Sequence, residues 1–131
     1  MRRSLPKLQR LFNERQTRKI SDADRAGYLY AYVNNNEWKI GTTNDFFRRQ
    51  KQWDKSCPDI SRLWLPPIKV ANRRRAESLA HLMLEIACIN RPRAYCHLCR
   101  RKHVEKFLFT QSWTVAWITI IEPILLTAAT A

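Results

Sequence analysis

Tyr28, Tyr30 and Tyr32, then Lys39, then Arg48 and Arg49 fall within about twenty residues of one another. A phenol, an ammonium and a guanidinium so gathered are groups that can handle a phosphodiester. Guanidinium pairs bidentately with phosphate, and cations neutralise charge on a transferring phosphoryl group. Farther along stand Glu77 and His81, one helical turn apart on a largely apolar stretch. Burying either without a partner is costly, so the pair is a satisfied polar couple at a core edge or part of a site. A third set is Cys96, Cys99 and His103, a C-x2-C-x3-H knuckle with spacing suited to zinc. His97 could stand in for His103, and a tetrahedral ion needs a fourth ligand, for which Cys57, Cys88 and His81 are available. Unligated cysteines are the plainer alternative.

These residues must be positioned by something. Residues 27–33 alternate tyrosines with Leu29, Ala31 and Val33, which is strand periodicity. Asn34-Asn35-Asn36 supplies turn chemistry, and Glu37 to Thr42 returns as a second strand of a β-hairpin. A helix over about 45–55 then puts Phe46, Arg49, Gln50 and Trp53 on one face, with Arg48 and Lys51 diverging toward solvent. Residues 60–70 read as extended chain interrupted by Pro66 and Pro67. The longest helical pattern runs over 72–90, with Ala76, Leu79, Leu82, Met83 and Ile86 as its core stripe and Glu77, His81, Leu84 and Cys88 alongside. Arg91 to Lys102 reads as a basic loop, Val104 to Phe109 as a last strand, and Thr110 onward as a closing helix. The expectation is one α+β domain with a small central antiparallel β-sheet flanked by helices. Residues 1–26 would be a basic helical lead-in, 27–110 the domain and 111–131 an apolar helix packing on it.

The 131 residues suit a single domain, and an apolar content of 45% with five tryptophans excludes global disorder. A net charge of +13 suggests a polyanionic partner, nucleic acid above all. Arg73, Arg74 and Arg75 open the long helix, and Arg100, Arg101 and Lys102 flank the knuckle. With Arg48 and Lys51 they are candidate DNA-phosphate contacts, giving salt-sensitive binding with little sequence preference. No apolar run follows the basic start, so reduced thiols and an intracellular, nuclear location are expected, a mitochondrial address being the alternative. The apolar stretch from Ser112 to Leu126 is expected to break at Glu122-Pro123, too short for a membrane span. It would pack on the domain or meet a second copy.

In order and spacing these pieces resemble the GIY-YIG nuclease superfamily, most closely the branch named for a phage T5 DNA-binding domain and widespread in fungi. The pieces are Gly27-Tyr28-Leu29-Tyr30, then Lys39-Ile40-Gly41-Thr42-Thr43, then Arg48-Arg49 through Trp53 to Cys57. After them come Glu77 with His81, Cys96 with Cys99, and His103-Val104-Glu105-Lys106-Phe107, so that residues 26–110 are covered. The resemblance implies that Tyr30 stands near the attacking water or serves as base, that Arg49 grips the scissile phosphate, and that Glu77 holds a divalent metal. Hard oxygen ligands suit Mg²⁺ or Mn²⁺ in that role. Lys39 stands where the wider superfamily has tyrosine, and an ammonium there can neutralise phosphate or act as a base. Trp53 takes the place of a histidine found in some members. The resemblance also places a cysteine after the arginine helix, which favours Cys57 as fourth ligand of a structural Zn²⁺. The expected function is metal-dependent DNA hydrolysis without a small-molecule cofactor; DNA binding without cleavage and a zinc-stabilised interaction domain are the alternatives.

Overall fold

The hairpin forms as its alternation requires: β1 (Gly27–Asn34) and β2 (Glu37–Thr43) pair antiparallel from Tyr28 opposite Thr43 to Asn34 opposite Glu37. Asn35 makes the turn in the left-handed region, φ 56°, which asparagine tolerates. In this computed structural model residues 2–92, 94–96, 100–103 and 106–131 are described, with only the backbone described for 94, 95 and 101–103. The extended segment around the prolines supplies two short strands, β3 (Leu63–Trp64) and β4 (Ile68–Val70), and both pair with β1. Pro66 and Pro67 separate them because proline cannot donate to a ladder. A hairpin of β5 (Ala94–Cys96) and β6 (Arg101–His103) stands apart as its own two-stranded sheet. It replaces the loop expected over 91–102; strands of three residues are too short to show alternation. The last strand, β7 (Lys106–Leu108), adds to β2, with Trp38 opposite Phe107 and Lys39 opposite Lys106.

Period-2 alternation divides the sheet. Leu29, Ala31, Val33, Trp38, Ile40 and Phe107 are buried on one face, in the core. The helix α3 (Arg73–Ala87) covers that face together with the C-terminal helix. Tyr28, Tyr30, Tyr32, Lys39 and Gly41 share the opposite face, beside α2 (Phe46–Ser56). Along α3 the expected stripe is displaced: Ala76, Leu79 and Leu82 are buried, but Met83 and Ile86 only partly, while Ala80, Leu84 and Cys88 are fully inside. The reason is a second covering element. The N-terminal helix α1 (Leu5–Thr17) packs on α3 through Leu8 and Phe12, so α3 is enclosed on more than one side.

At the C-terminus α4 (Trp113–Ala116), a π-helical turn (Trp117–Ile121) and α5 (Glu122–Thr130) run on as one helix. The expected break at Glu122-Pro123 does not occur. The Glu122 N–H reaches back five residues to the Trp117 carbonyl, and the wide turn accommodates Pro123 at the start of α5. By length and composition Trp113–Thr130 would suffice to cross a membrane. Its Trp117, Ile121, Leu125 and Ala128 stripe is nonetheless buried in the domain core, with Trp117 stacked on Trp38 at 6.1 Å between centroids.

Arginines fasten the N-terminal segment. The Arg75 guanidinium donates to the Arg15, Gln16 and Arg18 carbonyls at the end of α1, at 3.2, 2.9 and 3.1 Å. Arg2 donates to the Ile86 carbonyl at the end of α3 at 2.6 Å. Such groups satisfy carbonyls that a helix end leaves without partners. Glu85, 1% exposed, accepts a fork from Arg3 at 3.0 and 2.8 Å and a further bond from Arg91 at 2.7 Å. Burial alone would raise the Glu85 carboxyl, but the Arg3 and Arg91 hydrogen bonds outweigh it and hold it at about 2 instead of 4.5. Because the folded value is depressed, the stabilisation is present above pH 4.5 and is lost as pH falls from there toward 2. Glu85→Gln should lower the unfolding free energy at neutral pH by about 3 kcal/mol in urea melts. The gap from wild type should narrow through that acid window; a gap independent of pH would contradict the assignment.

Candidate functional site

The Tyr30 ring lies across β2 at Gly41, its cross-strand partner. A Cβ at Gly41 would collide with the Tyr30 hydroxyl and come within 2.8 Å of its Cε2. Here the motif glycine provides the space for the tyrosine. The hydroxyl thus delivered receives two donors from α2: Trp53 Nε1–H at 3.0 Å and Arg49 Nε–H at 3.4 Å. These residues are four apart, one turn of α2, so both reach the same atom. Asp45 starts that helix by accepting the Arg48 N–H, which sets the register of Arg49 and Trp53. Arg49 is half-buried, with Nη1 3.3 Å from the Gln52 side-chain oxygen.

Lys39 is one step away on the same face, opposite Tyr32 on β1 and Lys106 on β7. Tyr32 is fully buried, and desolvation pushes its phenol well above the usual range. Lys106 lies over the Tyr32 ring at 5.6 Å, and burial lowers its ammonium. Arg62 stacks on Tyr32 at 4.7 Å and on Trp53 at 5.4 Å while donating to the Cys57 carbonyl at 2.6 Å. Sequence reasoning passed over both Lys106 and Arg62. The alternation around Phe107 could have placed Lys106 on the tyrosine face; nothing in the sequence around Arg62 marks its stacking.

Glu77 approaches from the other layer. α3 begins beside Gly27 and Thr43, where the Arg73 side chain crowds Gly27. Eight residues on, His81 Nε2–H donates to the Ile40 carbonyl at 2.9 Å, the only role a ring nitrogen can take toward a carbonyl. That carbonyl points away from β1, since the paired Ala31 carbonyl is turned to the other side and accepts from Leu65. Eight helical residues rise about 12 Å and three strand residues about 10 Å, so α3 runs alongside β2 here. Glu77 is midway between Arg73 and His81 along α3 and half-buried. Among the described residues β7 pairs with β2 only from Glu37 to Lys39, and Ile40 to Thr43 have no second strand beside them.

Tyr30 and Arg49 are therefore brought into contact, Lys39 is adjacent on their face, and Glu77 flanks the same strand from the opposite layer. The basic candidates are dispersed. Arg48 and Lys51 are exposed on α2, and Arg48 Nη2 donates to the Asn44 side chain at 2.6 Å. Arg73 donates to the Ala26 carbonyl at 2.8 Å, Arg75 holds α1, and Arg74 is exposed. Arg100 is exposed at the β5–β6 turn with φ 57°; the side chains of Arg101 and Lys102 lie outside the description. Of the cysteine knuckle, Cys99 and the His103 side chain lie outside the described residues, as does His97. Cys57 and Cys96 are described, and their Sγ atoms stand 3.6 Å apart. Cys88 is buried elsewhere, against the Glu85 carbonyl. Among the described residues no three His, Cys, Asp or Glu side chains gather as a metal site.

Compared with known proteins, residues 27–122 match the T5orf172 domain family. Neither a curated protein nor a solved structure matches significantly. Gly41→Ala should cost about 1–3 kcal/mol by overpacking and displace the Tyr30 ring. Chemical unfolding and the near-ultraviolet aromatic signal would register both; an unchanged melt would contradict the close approach.

Proposed function

The chain belongs to the T5orf172 domain family, and on that premise we propose that it is a DNA-binding endonuclease of GIY-YIG type that hydrolyses phosphodiester bonds. The observation that carries this reading is the Tyr30 hydroxyl held by Arg49 and Trp53 over Gly41. Arg49, anchored through Nε, has Nη groups to grip a phosphate oxygen. Tyr30 is buried and accepts from two N–H groups, and its proposed role is to hold Arg49 and stand near the attacking water. Lys39, with Lys106 opposite, adds positive charge where phosphate oxygens would lie.

The half-buried Glu77 carboxylate, on α3 between Arg73 and His81, is a hard oxygen donor of the kind Mg²⁺ or Mn²⁺ takes. Neutralisation of charge on the leaving oxygen is what such an ion supplies when bound. Arg48, Lys51 and Arg74 are exposed and suited to flanking phosphates. Lys39 also supports a second reading, DNA binding without cleavage, because paired amines hold a backbone without any chemistry.

Supercoiled plasmid with Mg²⁺ or Mn²⁺ separates the two. Nicking is expected, falling by about 10²–10³ in Arg49→Ala and Glu77→Ala. No nicking, with retained duplex binding that weakens steeply with salt, would leave the binding module; salt-insensitive or absent binding would sink both.

The Cys57–Cys96 separation of 3.6 Å also supports a structural zinc. Two thiolates on a tetrahedral ion at about 2.3 Å stand about 3.8 Å apart. With Cys99 and His103 as the remaining ligands, such an ion would tie the end of α2 to the β5–β6 hairpin. Metal analysis should find about one zinc per chain, lost with part of the thermal stability in Cys57→Ser and Cys96→Ser. A folded, zinc-free protein would overturn this part.

A further inference from the structure

Next to the phosphate-handling residues an open cleft of about 560 Å³ lies between Tyr28, Asn44, Asp45, Phe46, Phe47 and Pro67. We propose that it takes an unpaired nucleobase of the DNA strand that Arg49 grips, so that the preferred substrate is DNA with unpaired nucleotides beside the scissile bond. The proposal rests on the DNA-binding reading above and names the substrate class for that site. Its volume lies within the range of small-molecule clefts, ~300–1,000 Å³. Three aromatic side chains and a proline line it, and Phe47 is 73% exposed.

That exposed ring is not a loose one. Phe46 packs edge-on to Phe47 at 5.7 Å and to Trp64 at 5.8 Å, and Trp64 in turn meets Tyr30 and Tyr32. A chain of rings thus runs from the buried tyrosines out to the cleft and fixes its wall. Bases stack on such faces with little sequence preference. The polar rim is also suited to a base. The Asn44 side-chain oxygen accepts from Arg48, which turns its amide N–H groups outward as donors for a base-edge acceptor. Asp45 is engaged by the Arg48 N–H.

Position commits the occupant. Tyr28 lies two residues before Tyr30 on the same face of β1, about 7 Å away, and Phe46, which lines the cleft, stands one helical turn before Arg49 on the same face of α2. A strand whose phosphate meets Arg49 therefore brings its neighbouring nucleotide to this cleft. Within a duplex both faces of a base are covered by its neighbours, so only an unpaired base can enter. Asp45 is the charged residue of the lining and is engaged by the Arg48 N–H, and the net charge of +13, with Arg48 bonded to Asn44 beside the cleft, favours a nucleotide over an apolar peptide.

The test uses the full chain in buffer without added Mg²⁺ or Mn²⁺ and with two DNAs: a blunt duplex, and the same duplex carrying an unpaired overhang with 2-aminopurine as its first base. The overhang should bind roughly five- to a hundredfold tighter, with the 2-aminopurine fluorescence quenched. Phe47→Ala should abolish the advantage and the quench while leaving blunt-duplex affinity within about twofold. Phe47→Trp should retain both. Equal affinity for the two DNAs, or a quench that survives in Phe47→Ala, overturns the cleft while leaving the DNA-binding reading intact. Failure to bind either DNA overturns that reading and this inference with it.

Discussion

The Tyr30 ring and Gly41 occupy one position between them: the ring fills the space that any other residue's side chain would take. From this contact the arrangement of the site follows. The phenol oxygen is carried across β1 onto β2, where Arg49 and Trp53 can reach it from a single turn of α2. The Asp45 cap positions that turn, and the Arg62 guanidinium lies over both the Tyr32 and Trp53 rings, which themselves meet edge-on at 5.2 Å. A strand residue without a side chain and a helix with correctly phased donors are each ordinary; their alignment at one oxygen atom makes the site.

The positive charge of the chain is less available to a partner than its total suggests. Arg75, Arg2 and Arg73 satisfy backbone carbonyls at helix ends and strand starts, and Arg3 and Arg91 neutralise a buried carboxylate. Arg62 is enclosed among aromatic rings. Phosphate would meet the remainder, chiefly the exposed α2 cations, Arg74 and the lysine pair below them. A guanidinium forms several directed hydrogen bonds, which explains why this chain fastens its N-terminal helix with arginine. Helix α1, α3 and therefore Glu77 are bound into one unit by those bonds.

Much of this was legible in the chain itself. The hairpin register, the α2 face bearing Arg49 and Trp53, and β7 returning near its expected place all follow from alternation, turn residues and helical spacing. What escaped depends on tertiary context. The depth of Leu84 and Cys88 reflects helices packing on α3 from more than one side, which its own periodicity cannot report. The burial of Glu85 depends on Arg3, more than eighty residues away in sequence, which no local pattern can report. Pro123 reads as a helix breaker until the π-helical turn before it is taken into account. Lys106 and Arg62 became visible as site neighbours only once the sheet had brought Tyr32 between them.

Among the described residues the stretch of β2 from Ile40 to Thr43 has β1 alone as its strand neighbour. A strand edge with free polar groups is a template on which another chain can pair and aggregate. The phosphodiester site proposed above would be closed by a further strand paired there. Here the outward Ile40 carbonyl is taken by His81 and the glycine position is overlaid by a tyrosine ring. An incoming strand would meet an occupied acceptor and a neighbouring carboxylate-bearing helix, which discourages pairing along this part of β2.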